Sequence, residues 1–301
     1  MNIEENTKEK RDPIVGLMIL STMFWAGAFV AGKFSVGQFS PVTISFFRFL
    51  IATSIIFPIM IRMEKHRWRL GKKDLLTVVF IGFIGMVGYH MFFYTALKYT
   101  TAINASVIGA MSPLVMNVVS VFFLKAKLGW KRLSAILLSL TGVVLIITNG
   151  NIEGFVKGGF NPGDFLMMIA VLCWVAYGIM SKKVMENYSP LIITAYSFLT
   201  AAVMLFPFAL ADLGTGYLPK TTFSGWMAIL YMAIFPSVIG YLVQQVSFKK
   251  LGTGKTMMFI NLVPVFSIVL AVIFLGETIS LLKIGFALMI IAGVYISIKL
   301  R

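Results

Sequence analysis

Ten apolar runs dominate this 301-residue chain, at 14–33, 41–61, 75–97, 102–124, 132–148, 164–183, 190–211, 225–247, 253–275 and 282–299. A bilayer core about 30 Å thick is crossed by roughly 20 helical residues, so each run is of spanning length or close to it. Inside hydrocarbon every backbone N–H and C=O must be paired by the protein itself, and for runs of this kind the α-helix does so. Composition agrees: 59% of the residues are hydrophobic, 12% are charged and the mean hydropathy is +0.92. Soluble domains carry about 25% charged residues. The expectation is an all-α membrane protein of ten transmembrane helices. The lone Cys173 lies inside an apolar run, which leaves no disulfide framework and no cysteine pair for a metal.

A net charge of +15 suggests nucleic acid until its distribution is read, because the cations fall in short stretches between the runs. Cytoplasmic loops retain Lys and Arg. With the N-terminus placed inside, 20 of the 26 basic residues lie in inside segments, most densely at Arg62, Lys65, Arg67, Arg69, Lys72 and Lys73. The outside loops hold Lys33, Lys98, Lys157, Lys220 and Lys283, one apiece, and Arg48 alone sits within a run. Both termini are therefore expected in the cytoplasm of a multi-pass cell-membrane protein. The polar start reads as a cytoplasmic tail over 1–13 rather than a cleaved signal, since a span-length run and many others follow it.

The chain also matches itself. A shift of 149 residues lays Trp25 on Trp174, Ser40-Pro41 on Ser189-Pro190, Phe49-Leu50 on Phe198-Leu199 and Pro58 on Pro207. After the seventh run a shift of 151 lays Pro113 on Pro264, Phe123-Leu124 on Phe274-Leu275 and Gly142-Val143 on Gly293-Val294. The repeats occupy 14–148 and 164–301, joined by an extracytoplasmic linker at 149–163. A unit of five spans is odd, so its second copy enters the membrane from the other side. Two inverted five-helix repeats are an architecture of secondary transporters.

These features resemble the EamA-type branch of the drug/metabolite transporter superfamily over about 14–299. The first span reads Phe24-Trp25-Ala26-Gly27, similar to the family's Trp-Gly opening with Ala26 inserted. The second combines Ser40-Pro41 with Phe47-Arg48-Phe49, and the ninth ends Phe274-Leu275-Gly276-Glu277 with Gly285 and Gly293 beyond. The first repeat departs at Phe123-Leu124-Lys125-Ala126, which lacks the acid. The resemblance implies a ten-helix exporter of amino acids or other small metabolites.

Polar residues at mid-span are the candidate site, since hydrocarbon tolerates them only toward the bundle interior or a cavity. Trp25 and Trp174 fall near the centres of spans one and six, Pro113 and Pro264 at the centres of four and nine. An interior proline frees the carbonyl four residues earlier, here Gly109 and Ile260, for a substrate, a water or a re-satisfied backbone. Asn117 and Asn261 lie a turn or less away; Tyr89, His90 and Tyr94 occupy span three, and Gln244-Gln245 the inner end of span eight. The candidate substrate-binding set is Trp25, Tyr89, His90, Tyr94, Asn117, Trp174, Gln245 and Asn261. Helix packing alone is the competing reading for each. Such a pocket suits a neutral or zwitterionic solute better than a cation, because no acid is embedded in a run to meet one.

Arg48 is expected to anchor its span, by snorkelling outward or capping helix carbonyls, with a substrate carboxylate as the alternative partner. Glu277 reads as a cap or loop ion pair. Gly85 and its repeat mate Pro236 read as hinges or as close-contact points, alongside the kinking prolines Pro113 and Pro264. Gly252-Thr253-Gly254-Lys255-Thr256 imitates a phosphate-binding loop, but Lys249 stands where its first glycine belongs. Nucleotide, metal and other cofactors are not expected, and the partners are a small solute and lipid, with a homodimer left open. A membrane-embedded enzyme needs clustered acids, histidines or an activated nucleophile, and the chain's two histidines, His66 and His90, form no such cluster. A non-transporting scaffold would bring a signalling domain, and the runs leave no room for one. If a proton drives transport, His90 is the sequence's candidate carrier.

Overall fold

The computed structural model of the chain describes residues 13–112, 115, 119, 130–148, 150–151, 161–214, 221–244, 246–247, 250, 259–260 and 262–299. Among them the secondary structure is helical, with no strand. The elements are α1 Pro13–Ser35, α2 Pro41–Glu64, α3 Lys72–Tyr99, α4 Ala102–Gly109, α5 Trp130–Ile147, α6 Pro162–Val184, α7 Pro190–Leu213, α8 Phe223–Gln244, α9 Val263–Leu275 and α10 Leu281–Lys299. Six of these, α1, α2, α3, α6, α7 and α8, are long and apolar enough to cross a membrane; α9 and α10 carry shorter apolar stretches. The fourth and ninth runs are not the unbroken helices expected. α4 stops at Gly109, and α9 starts at Val263 with Pro264 in its first turn, where a missing N–H costs nothing. Pro264 thus opens a helix instead of kinking one.

Large apolar side chains line the outside as well as the core. Leu76, Phe206, Phe208, Ile273 and Phe274 are each more than half exposed, while Phe39, Phe49, Tyr94 and Phe198 are fully buried. A soluble chain would hide such a girdle; lipid covers it here. Several interior hydroxyls are satisfied locally, as where Ser21, Ser45 and Thr194 donate to the carbonyl four residues back.

The Ser-Pro pairs open α2 and α7 in the same way. Ser40 and Ser189 accept from the backbone N–H of Thr43 and Ile192 as N-caps, and the following proline fixes the first turn. Each serine also donates to a carboxylate at the far end of the other helix, Ser40 to Asp212 and Ser189 to Glu64. α2 and α7 therefore lie antiparallel along their whole length, with Phe49 and Phe198 in ring contact between those ends at 5.2 Å. The remaining contacts repeat in matching pairs: α1 lies on α8 as α6 lies on α3, α1 meets α9 as α6 meets α4, and α5 runs against α10.

Both α3 and α8 loosen into a π-helical stretch, Phe83–Gly88 and Ala233–Gly240. Gly85 and Pro236, related by the shift of 151, fall inside these two stretches. Isolated π-turns concentrate at functional sites. Gly85 also allows α6 to approach: a Cβ there would lie 2.2 Å from Tyr177 Cδ2 and 2.7 Å from its Cβ, so rotating the ring gives no relief. Gly85→Ala should lower thermal stability in detergent by about 1–3 kcal/mol through overpacking. Gly285→Ala, with no atom within 4 Å of the new methyl, should leave it unchanged. Equal melting temperatures for the two variants would refute the close contact.

Candidate functional site

Side chains from both halves enclose a cavity of about 100 Å³ at mid-bundle. Water needs roughly 10–15 Å³ of such space, so there is room for several waters or one small solute. Trp25 of α1 and Trp174 of α6 face it together with Tyr89 and Tyr241. Their rings touch in sequence, Tyr89 to Trp174 at 5.3 Å, Trp174 to Tyr241 at 5.8 Å and Tyr241 to Trp25 at 6.4 Å. Phe29 and Phe93, edge to face at 5.0 Å, close one side. Trp25 Nε1 donates to Pro236 O at 3.0 Å, which ties α1 to the π-helical stretch of α8. Trp174 makes ring contacts and no hydrogen bond among the described residues.

Arg48 is the one cation in the wall among the described residues, and it is 4% exposed. Its head turns inward instead of outward: Nε donates to Ser237 Oγ and Nη1 to Tyr94 Oη, each at 2.9 Å. Neither is a carbonyl, and the head does not reach the surface. No carboxylate pairs with it among the described residues. A guanidinium has five N–H groups and cannot give up its charge; three of the five, including both on Nη2, are left without a partner among the described residues. Phe49 lies 5.7 Å beneath it.

Two helix ends meet the cavity. α4 terminates at Gly109 and the chain turns through Ala110 and Met111, and Gly109, Ala110 and Ser112 all line the wall. α9 begins at Val263, which with Ile260 lines it too. The C-terminal end of a helix carries partial negative charge and the N-terminal end partial positive charge. Gly109 O, which the sequence marks as freed, accepts from Ser112 Oγ at 2.6 Å. A neighbouring hydroxyl satisfies it, so no solute is required there.

Of the sequence candidates, Trp25, Tyr89, His90 and Trp174 come together at the cavity. Tyr94 does not: it is fully buried behind the wall, where its hydroxyl accepts from Arg48. His90 Nδ1 must carry a proton, because its partner at 2.9 Å is the carbonyl of Met86, and that leaves Nε2 as the unprotonated nitrogen when the ring is neutral. Asn117, Gln245, Asn261 and Pro113 lie outside the described residues. Gln244, the neighbour of the named glutamine, lines the wall. Tyr241 was missed, although the shift of 151 lays it on His90. Glu277 is a cap, but for another segment: it accepts from the N–H of Ala102 at 2.7 Å and of Ile103 at 3.1 Å, at the start of α4.

The EamA-like transporter family model matches this chain twice, over 13–148 and 161–299. The uncharacterized transporter YyaM of Bacillus subtilis is 30% identical over 279 residues, covering 92% of this chain and 91% of the relative. An uncharacterized transporter of Archaeoglobus fulgidus is 28% identical, over 93% and 96%. The uncharacterized inner membrane transporter YhbE of Escherichia coli K12 is 26% identical, over 76% and 70%. One solved crystal structure shares the fold, with a TM-score of 0.67 at 19% identity over 96% of this chain and 98% of the other.

The tryptophans, equivalent by repeat, differ in what they hold. Trp25→Phe removes the donor to Pro236 O and should cost roughly 0.6–1 kcal/mol of stability, seen as a lower melting temperature. Trp174→Phe should not shift the melt. A larger loss in the Trp174 variant would contradict this division of labour.

Proposed function

The chain belongs to the EamA-like transporter family, within the drug/metabolite transporter superfamily, and is a membrane transporter rather than an enzyme; from that premise we propose that it exports small neutral or zwitterionic metabolites such as amino acids, by alternating access at the cavity between its halves. The observation that carries the substrate class is Arg48. A fixed positive charge in an aromatic wall, with no acid among its described neighbours, repels a cation and welcomes a carboxylate. The start of α9 adds partial positive charge, while the ring faces of Trp25 and Trp174 and the end of α4 suit an ammonium group. A zwitterion therefore finds both of its charges answered without a second buried ion.

The antiparallel α2–α7 pair and the matched contacts around it support the reading of two inverted five-helix repeats, ten spans in all. In that reading the π-helical stretches at Gly85 and Pro236, with the breaks after Gly109 and before Val263, are where one half rocks against the other. The lysine and arginine distribution supports cytoplasmic termini, and export follows the family resemblance.

Counterflow into proteoliposomes, with pooled radiolabelled amino acids, tests the proposal. Wild-type protein should give saturable flux. Arg48→Gln and Trp174→Ala should each lower its initial rate about tenfold or more, equivalent to roughly 1.4 kcal/mol, at comparable protein content. Normal flux in both variants would move the binding site elsewhere, and flux of cationic amines in preference to zwitterions would overturn the substrate class.

A further inference from the structure

At the end of the bundle opposite the basic Arg62–Lys73 connection, polar side chains tie five helices and a turn together. Lys33 Nζ of α1 donates to Leu97 O and Thr100 O, each at 2.7 Å, closing the end of α3. Thr100 Oγ1 in turn donates to Asp164 Oδ1 of α6 at 2.5 Å. Lys283 Nζ of α10 donates to Asn104 Oδ1 of α4 at 3.3 Å, and Glu277, before α10, holds the first amides of α4. Thr100, Asn104 and Asp164 are 3%, 7% and 1% exposed. Gly163 makes the seam tight, for a Cβ there would sit 2.7 Å from Thr100 N.

Asp164 is the one buried carboxylate among the described residues. A first-turn acid normally sits in water near the helix N-terminus, and this one is sealed beneath the α3–α4 turn instead. Among the described residues the groups facing it are Thr100 from that turn, Asn104 from α4 and Lys283 from α10. Lys33 and Glu277 stand one link further off, bonded to the same turn. Among the described residues the cluster thus holds two cations against two carboxylates. By the repeat shifts Val15 corresponds to Asp164 and Ala126 to Glu277, so neither acid is repeated in the sequence.

We propose that Asp164 is a proton-binding site that releases this latch and opens the cavity toward the face opposite the basic loops. With the carboxylate ionised, a charge-assisted bond to Thr100 and attraction to Lys283 hold α6 against α3, α4 and α10. A proton taken from the aqueous phase by a carboxylate oxygen removes the charge facing Lys283. It also reduces the Thr100 bond to a neutral one, which is about half as strong. Among the described residues Lys33 and Lys283 then have Glu277 alone to balance them, and the residual repulsion loosens the same seam. Ser106 and Phe93, on the cavity wall, lie in the segments this seam closes, so loosening it gives a solute a way out. The proposal requires a carrier but not a particular solute.

Distance measurement between nitroxides on the full-length chain tests it. With Cys173→Ser as background, Leu172→Cys on α6 and Leu281→Cys on α10, both exposed positions, place the labels on the two sides of the seam. Acidification from pH 7.5 to 5.5 should populate a population about 5 Å longer, the scale of a one-turn displacement. Asp164→Asn should show that population at both pH values. Thr100→Val, which keeps the acid, should show part of it at pH 7.5 and more at 5.5. An unchanged wild-type distribution on acidification would overturn the proposal, and so would an Asp164→Asn protein that still responds to pH as the wild type does.

Discussion

The antiparallel contact between α2 and α7 is the seam on which everything else is hung. In hydrocarbon no hydrophobic force draws helices together, because lipid tails are as apolar as leucine. Association rests on close fit and on polar ties. This seam has both: rings meeting along it, and at each end a capping serine bonded to a carboxylate of the opposite helix. A pair so fastened cannot slide by a turn without breaking a buried or half-buried hydrogen bond at both ends. It therefore fixes the depth of every residue it carries, Arg48 included.

Symmetry about this seam explains the shape of the cavity and also its polarity. Trp25 and Trp174 arrive from equivalent positions, so the aromatic walls come from both halves. Arg48 has Ser197 as its mate, a buried hydroxyl. Two arginines at these positions would place like charges in one low-dielectric pocket, a costly arrangement. One arginine leaves a site with a single positive pole. Tyr94 and Ser237 hold that pole in place with neutral groups, which orient the guanidinium without cancelling its charge.

The helical membrane character and most of the aromatic wall were legible in the sequence, because they depend on run length and on mid-span depth. Direction around a helix was not. Consecutive residues point about 100° apart, which is why Tyr94 backs the wall that Tyr89 and His90 form. Depth alone sent Arg48 outward; only the position of α3 and α8 around it shows that it turns inward. The break after Gly109 was half-read: its freed carbonyl was inferred correctly, but the hydroxyl that takes it, Ser112, sits three residues on and had drawn no attention. Tyr241 was within reach, since the shift relating the later spans lays it on His90. Asp164 was not, for a carboxylate at the very edge of a run looks solvated until the chain folds a turn over it.

Inverted duplication by itself builds two gates related by a two-fold rotation, and gates so related answer the same signals from either side. Carriers that serve a cell in one sense must differ at their two faces in what biases each conformation, because a ligand shifts an equilibrium only by its differential affinity for the states. In this chain the difference is written in a few substitutions between repeats. Asp164 stands against Val15, Glu277 against Ala126, and Asn104 against Lys255. The face bearing the acids is closed by charges that a proton can discharge. In the sequence the matching positions are a valine, an alanine and a lysine, none of which a proton discharges near neutral pH. The two ends of one duplicated scaffold are thereby made to respond to different chemistry, while the seam and the cavity between them stay common to both.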